Sequence, residues 1–205
     1  GQFLWLGAYD KHIYRFDKRS GVFVSLAQLL NDSAVGKITF LKILAVSGAD
    51  IWFKTEHSGL LLLKNSSSDS PQAIWFSEKA AGGYQIPSNA INIFHLDPNK
   101  NVWITSTRGT HLLQCDHQGN YALKEIDDFK GVKATYFANT KNGVVLGTSN
   151  GWLLSFNRSL KCIQKQSISS TAINHLIESR TGNIYCTTAA GKLLAIDKAN
   201  VVRTL

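Results

Sequence analysis

A tryptophan-bearing strand pair that returns along the chain constrains this fold more than any other feature of the sequence. Residues 101 to 117, Asn-Val-Trp-Ile-Thr-Ser-Thr-Arg-Gly-Thr-His-Leu-Leu-Gln-Cys-Asp-His, read as a strand carrying Trp103, a polar turn ending in Gly109 and a second strand closing on Asp116. Residues 50 to 64 repeat the pattern with Trp52 and Gly59, and residues 3 to 17 repeat it with Trp5 and a closing Asp17. Residues 143 to 157 and 182 to 197 follow the same outline with Val145 and Tyr185 in the tryptophan place. Aligning Trp5, Trp52, Trp103, Val145 and Tyr185 gives spacings of 47, 51, 42 and 40 residues. Repeats of that length built from short strands are the mark of propeller blades, because one small sheet cannot cover both of its faces and must stack on the next.

The chain in order supports five such units. Residues 3–8 and 12–17 read as a hairpin and 21–26 as a third strand, so the first blade enters one strand short. Residues 27–37, with Asn31, Asp32, Ser33 and Gly36, read as a connection of turn formers. Strands at 38–46, 90–96, 132–138 and 172–177 each open a further blade. The turns after them include Asp97-Pro98-Asn99 and Lys141-Asn142-Gly143, and Asn-Gly is a strong hairpin signal. Residues 65–71 form a surface loop, and 80–89, with Gly82, Gly83 and Pro87, the longest connection between blades. The expected architecture is an all-β propeller segment of five antiparallel blades over residues 1–30, 37–79, 89–126, 131–167 and 171–205, four-stranded after the first. Trp5, Trp52 and Trp103 are expected between blades as packing blocks.

Composition excludes several classes. A chain of 205 residues with 44% hydrophobic and 18% charged residues can bury a core as one all-β domain. No apolar run reaches the roughly 18 residues that cross a bilayer as a helix. The first residue is Gly and no basic segment precedes an apolar one, so the sequence is expected to start inside a longer gene product, without a signal peptide. The formal charge of +8 favours acidic partners, but the Lys and Arg residues form no run, which argues against nucleic acid. Cys115, Cys162 and Cys186 show no metal-binding spacing and read as buried free thiols.

Leu4-Trp5-Leu6-Gly7-Ala8 followed by Ile13-Tyr14-Arg15-Phe16-Asp17, with Asn101-Val102-Trp103-Ile104-Thr105 and Val145-Leu146-Gly147-Thr148 later, resembles the two-component regulator propeller repeat. That repeat reads roughly Gly-Asn-Leu-Trp-Ile-Gly-Thr, then Gly-Leu-Tyr-Arg-Tyr-Asp, and the resemblance covers nearly the whole chain. Lys54 and Thr105 depart from its glycine, and Val145 and Tyr185 from its tryptophan. The resemblance implies a periplasmic sensor of a Bacteroidetes hybrid histidine kinase, recognising an oligosaccharide and signalling to the kinase of the same parent chain. It also implies a parent propeller of seven blades, with a five-bladed ring closed by the C-terminal end as the competing geometry. The partners it implies are an oligosaccharide, acidic if the basic balance bears on it, the remaining sensor and kinase domains, and a second copy in a homodimer.

No catalytic set emerges from the residues. Gly-x-Ser-x-Gly, His-Glu-x-x-His and phosphate-cradling loops are absent, and no cofactor or metal is expected. His95 and His175 occupy matching places in opening strands, which points to fold position. In a propeller the strands lock the frame, so binding falls to the connections at one rim, the turns of the central hairpins together with the links between blades. That rim offers Tyr9, Tyr84 and Trp152 as flat faces for sugar C–H surfaces, and Asp10, Lys11, His57, Arg108 and Asn150 for hydroxyls and charges. Arg108 and Lys11 suit an acidic sugar. A protein-interaction scaffold and a propeller lyase or glycosidase are the alternatives. The last lacks acids, since the rim turns supply only Asp10 and Glu56.

Overall fold

The computed structural model of the chain describes residues 2–47, 49–81 and 84–205, and the side chains of all of these except 44–47. Gly82 and Gly83, assigned above to a connection, lie outside the described residues. Contacts divide the chain into two compact units, Gly1–Ile91 and Asn92–Leu205.

The first unit holds two antiparallel meanders. One is three-stranded, β1 (Phe3–Gly7), β2 (Ile13–Asp17) and β3 (Phe23–Ser25), as the sequence anticipates for the opening blade. The other runs β4 (Phe40–Ser47), β5 (Asp50–Thr55), β6 (Leu60–Lys64) and β7 (Gln72–Phe76). The expected third strand over 21–26 is cut short, because Leu26–Leu29 forms a one-turn helix, α1. Ser25 and Gln28 make a capping box there, Ser25 Oγ accepting from the Gln28 amide while Gln28 reaches back to the Ser25 N–H, and this favours the helix over a longer strand. Val35–Lys37 adds a 3₁₀ turn inside the expected connection.

The second unit holds three four-stranded meanders. The third sheet runs β8 (Ile91–Leu96), β9 (Val102–Ser106), β10 (Gly109–Cys115) and β11 (Tyr121–Lys124). The fourth runs β12 (Ala134–Thr140), β13 (Gly143–Thr148), β14 (Trp152–Asn157) and β15 (Cys162–Ser167). The fifth runs β16 (Ile173–Glu178), β17 (Ile184–Thr188), β18 (Leu193–Ile196) and β19 (Val202–Thr204). Every sheet pairs its strands in sequence order. Among the described residues the five sheets span 3–25, 40–76, 91–124, 134–167 and 173–204.

Burial explains why the central strands read apolar on both faces. Every residue of β9 and β13 is buried, and the four leucines of β6 are fully covered. Trp103 is fully buried and meets Phe137 and Phe156 of the fourth sheet at ring separations of 6.1 and 5.3 Å, the inter-blade role expected of it. Burial of a ring that size is worth about 4–6 kcal/mol before ordering costs. Trp5 packs on Phe53 of the neighbouring sheet at 5.9 Å, and Trp52 packs on Phe76 of its own sheet at 5.2 Å.

The closing Asp of the repeat has a structural task. Asp17, Asp116, Asn157 and Asp197 end the third strand of a blade or its three-stranded counterpart, and each side chain accepts the amide N–H two residues on. In Asp116, Asn157 and Asp197 the same oxygen also accepts the N–H four residues on. These Asx turns give each corner a local set of side-chain bonds. At the other end, Thr55, Thr148 and Thr188 are buried at the close of the second strand and bond across the central hairpin turn through their hydroxyls.

Candidate functional site

In the first unit a cavity of about 200 Å³ opens beside Asp10, one of the residues singled out from sequence. Its wall is built by the β1–β2 hairpin (Asp10, His12, Tyr14) and by the connection that carries α1 and the 3₁₀ turn (Leu26, Val35, Gly36). The hairpin turn is pinned to the next sheet, since the Lys11 carbonyl accepts the Phe40 N–H at 2.9 Å. Three side chains then converge at the mouth. Asp10 Oδ1 accepts the His12 amide at 3.0 Å, and Tyr14 Oη donates to Asp10 Oδ2 at 2.9 Å. His12 Nε2 lies 2.9 Å from the Gly36 carbonyl, which can only accept, so the ring proton sits on Nε2. His12 Nδ1, 3.4 Å from Asp10 Oδ1, is too poorly aligned for a hydrogen bond and stays unsatisfied.

The electrostatics follow from these bonds. The His12 amide first, then the Tyr14 hydroxyl, hold the Asp10 carboxyl below its usual range, so it stays ionised. The same bond to Asp10 pushes the Tyr14 phenol up. The arrangement is a fixed carboxylate beside two aromatic groups, with the Tyr9 ring standing fully exposed next to it. Such a set can accept hydrogen bonds from ligand hydroxyls and stack on a C–H face.

The structure brings Tyr9, Asp10 and Lys11 to this one turn. His57 is exposed on the β5–β6 turn, and Tyr84 is half-buried with its ring edge-on to Phe76 at 5.4 Å. In the second unit Arg108 is exposed, with its amide bonded to Ser106 Oγ. Asn150 Oδ1 accepts the Thr148 hydroxyl at 2.7 Å, and Trp152 is half-buried against the cluster around Trp103. Within each unit no hydrogen bond or ion pair links any two of these eight residues among those described. His12 and Tyr14 were missed from sequence, although their alternation with Asp10 (10, 12, 14) in a strand-edge register was there to be read. Asn89, at the end of the connection over 80–89, is committed to structure: it exchanges hydrogen bonds with Glu78, side chain to amide in both directions. Among the described residues no three His, Cys, Asp or Glu side chains gather as a metal site.

No family model matches the chain, and no curated protein matches it either. Solved structures do. The extracellular domain of the BT4673 system of B. thetaiotaomicron, described as a one-component and as a hybrid two-component system, superposes with a TM-score of 0.64 at 18% identity. That match covers 100% of this chain and 27% of the other. The fold is a β-propeller's. The extracellular domain of the hybrid two-component system BT3049 from the same organism matches with a TM-score of 0.54 at 15% identity, over 94% of this chain and 25% of that one. Virginiamycin B lyase from Staphylococcus aureus, in a catalytically inactive H270A form with quinupristin, matches with a TM-score of 0.61 at 12% identity, over 100% of this chain and 70% of the lyase. The chain spans about a quarter of the length of the two extracellular domains. The likeness at these identities is one of architecture, and it extends to sensor domains and lyases alike.

Proposed function

We propose that the chain is a non-catalytic, ligand-sensing segment of an extracytoplasmic sensor in a hybrid two-component system. It forms part of a larger propeller of seven blades, recognises an oligosaccharide and passes binding to a histidine kinase in the same parent through a shift in domain arrangement. The observation that carries this reading is the whole-chain likeness to the extracellular domain of BT4673, strengthened by the repeat resemblance that runs through all five blades. The chemistry that supports this reading is Asp10, held ionised for ligand hydroxyls, with Tyr14 at the cavity, and Tyr9 and Lys11 on the same turn for a flat sugar face and an acidic group. His57 and Tyr84 in the first unit, and separately Arg108, Asn150 and Trp152 in the second, are further candidate contacts.

The test is a glycan-array screen of the intact receptor followed by calorimetric titration of the hits. Saccharide binding that falls about tenfold in Asp10→Asn, which removes one charged acceptor, supports the rim as the site. An intact receptor that responds to no saccharide sinks the reading. A lyase is the second reading, favoured by the match to virginiamycin B lyase. It requires a base and an electrophile or metal converging on one point. Turnover of a depolymerisable acidic polysaccharide by the purified chain, followed as unsaturated product, would establish it.

A further inference from the structure

A groove of the second unit lies at the end of the sheets away from the central hairpin turns. It measures about 510 Å³ and runs between the fourth and fifth sheets, within the range of small-ligand sites. Its floor is apolar, formed by buried Phe156 and Ile196 with Ile184, and Ile163 stands at the mouth with 56% of its surface exposed.

The walls are braced before any ligand arrives. The Lys141 amide donates to Glu178 Oε2 at 2.8 Å, and Lys141 Nζ donates to the Arg180 carbonyl at 2.7 Å, tying the β12–β13 turn to the fifth sheet. Arg158 Nη2 donates to the Lys141 carbonyl at 3.1 Å from the other side. Gln166 Nε2 reaches the Asn200 carbonyl at 3.1 Å and joins the outer strand β15 to the β18–β19 turn. Preorganisation of this kind lowers the ordering cost of binding.

The charges are unequally committed. Glu178 is engaged by the Lys141 amide, and Asp197 caps its own turn through Ala199 and Val201 and faces Arg203 at 3.7 Å. Lys198 has no ion-pair partner among the described residues. Its stem crosses Gly182, whose missing Cβ would stand 2.9 Å from Lys198 Cε, so a side chain there would push the lysine off the groove. Two acids are occupied and one ammonium has no ion-pair partner, beside the amide of Asn142; the Gln164 amide is held by Ser155 and Gln166, and the Thr181 hydroxyl by Ser179.

From this we infer that the groove between the fourth and fifth sheets is a second saccharide subsite, taking an acidic sugar whose carboxylate pairs with Lys198. The ring's apolar face lies over the floor and its hydroxyls meet the amides at the wall. The inference rests on the sensing reading above and places a contact within the second unit, at the end of its blades away from their central hairpin turns.

Isothermal titration of the chain with tetragalacturonate at low salt, and with maltotetraose as the neutral counterpart, tests it. Tetragalacturonate is expected to bind and maltotetraose to bind at least about tenfold more weakly. Lys198→Gln is expected to weaken tetragalacturonate by about tenfold or more, with Lys198→Arg retaining most of the affinity. Ile163→Trp, which fills the mouth from an exposed position, is expected to weaken it as well, and circular dichroism checks that each variant is folded. Tetragalacturonate affinity unchanged in both Lys198→Gln and Ile163→Trp overturns the subsite while leaving the sensing reading in place. Equal affinity for the two tetrasaccharides removes the role given to Lys198. Binding of neither saccharide overturns the subsite, and the intact-receptor screen then decides the sensing reading separately.

Discussion

Trp103 offers the sharpest test of how the second unit is held together. The indole is fully buried against Phe129, Phe137 and Phe156, and its Nε1 donates to Asp97 Oδ2 at 3.0 Å. Asp97 is itself buried and also accepts from the amides of Asn99 and Asn101 and from Asn101 Nδ2. Two contributions can be separated. Trp103→Ala loses the packing and leaves a cavity, a cost of about 3–5 kcal/mol. Trp103→Phe keeps a ring in place but loses a hydrogen bond to a charged group, worth about 1.5–3 kcal/mol. Out of a typical total of about 5–15 kcal/mol, the first change is a large fraction. Urea unfolding followed by far-ultraviolet circular dichroism measures each variant, and Asp97→Ala with the Trp103→Phe, Asp97→Ala double variant completes a cycle. A coupling of about 1–2 kcal/mol is expected between the two sites. Additivity within about 0.5 kcal/mol would refute the argument, because it would mean the indole N–H and the carboxylate do not stabilise each other.

Other outcomes follow from single features. Gly151 has φ of +80° and a Cβ there would stand 2.0 Å from the Ser169 carbonyl, whereas Gly191, at φ +75°, faces open space. Gly191→Ala should therefore cost only the left-handed strain, about 1 kcal/mol, and Gly151→Ala about 2 kcal/mol or more, read from the shift in Tm. Burial pushes His95 and His111 down, only partly offset in His95 by its bond to Asn139. The unfolded chain then takes up these protons first, so stability is full above the unfolded histidine value of about 6.5 and falls as pH drops below it. His95→Gln should flatten the decline in Tm between neutral and acidic pH, and an unchanged decline would refute the assignment. Burial raises the Cys186 thiol to about 11, so at mild alkaline pH it should resist a thiol reagent until the chain is denatured, while Cys115 reacts in the native state.

What could be read from the sequence was what is written locally. The strands of all five sheets announce themselves through apolar runs bounded by turn residues. The α1 helix was hidden because Val24-Ser25-Leu26 continues the look of a strand, and only the reciprocal Ser25–Gln28 bonding reveals the cap. Asp10 was legible as a rim residue, but its partnership with His12 and Tyr14 depends on how the hairpin twists against the Gly36 connection. The groove between the fourth and fifth sheets was not legible at all. Lys141, Glu178 and Lys198 are far apart in sequence, and each alone looks like an ordinary turn residue.

The locally bonded corners carry a consequence for how such a chain can change. At Asp116, Asn157 and Asp197 the side-chain bonds that make the bend all fall within five consecutive residues. A copied stretch of gene therefore brings its own bends along, and a duplicated or deleted unit needs only a compatible neighbour face to be accommodated. Variation in unit number is cheap in such an architecture, and selection can adjust the circumference without rewriting the parts.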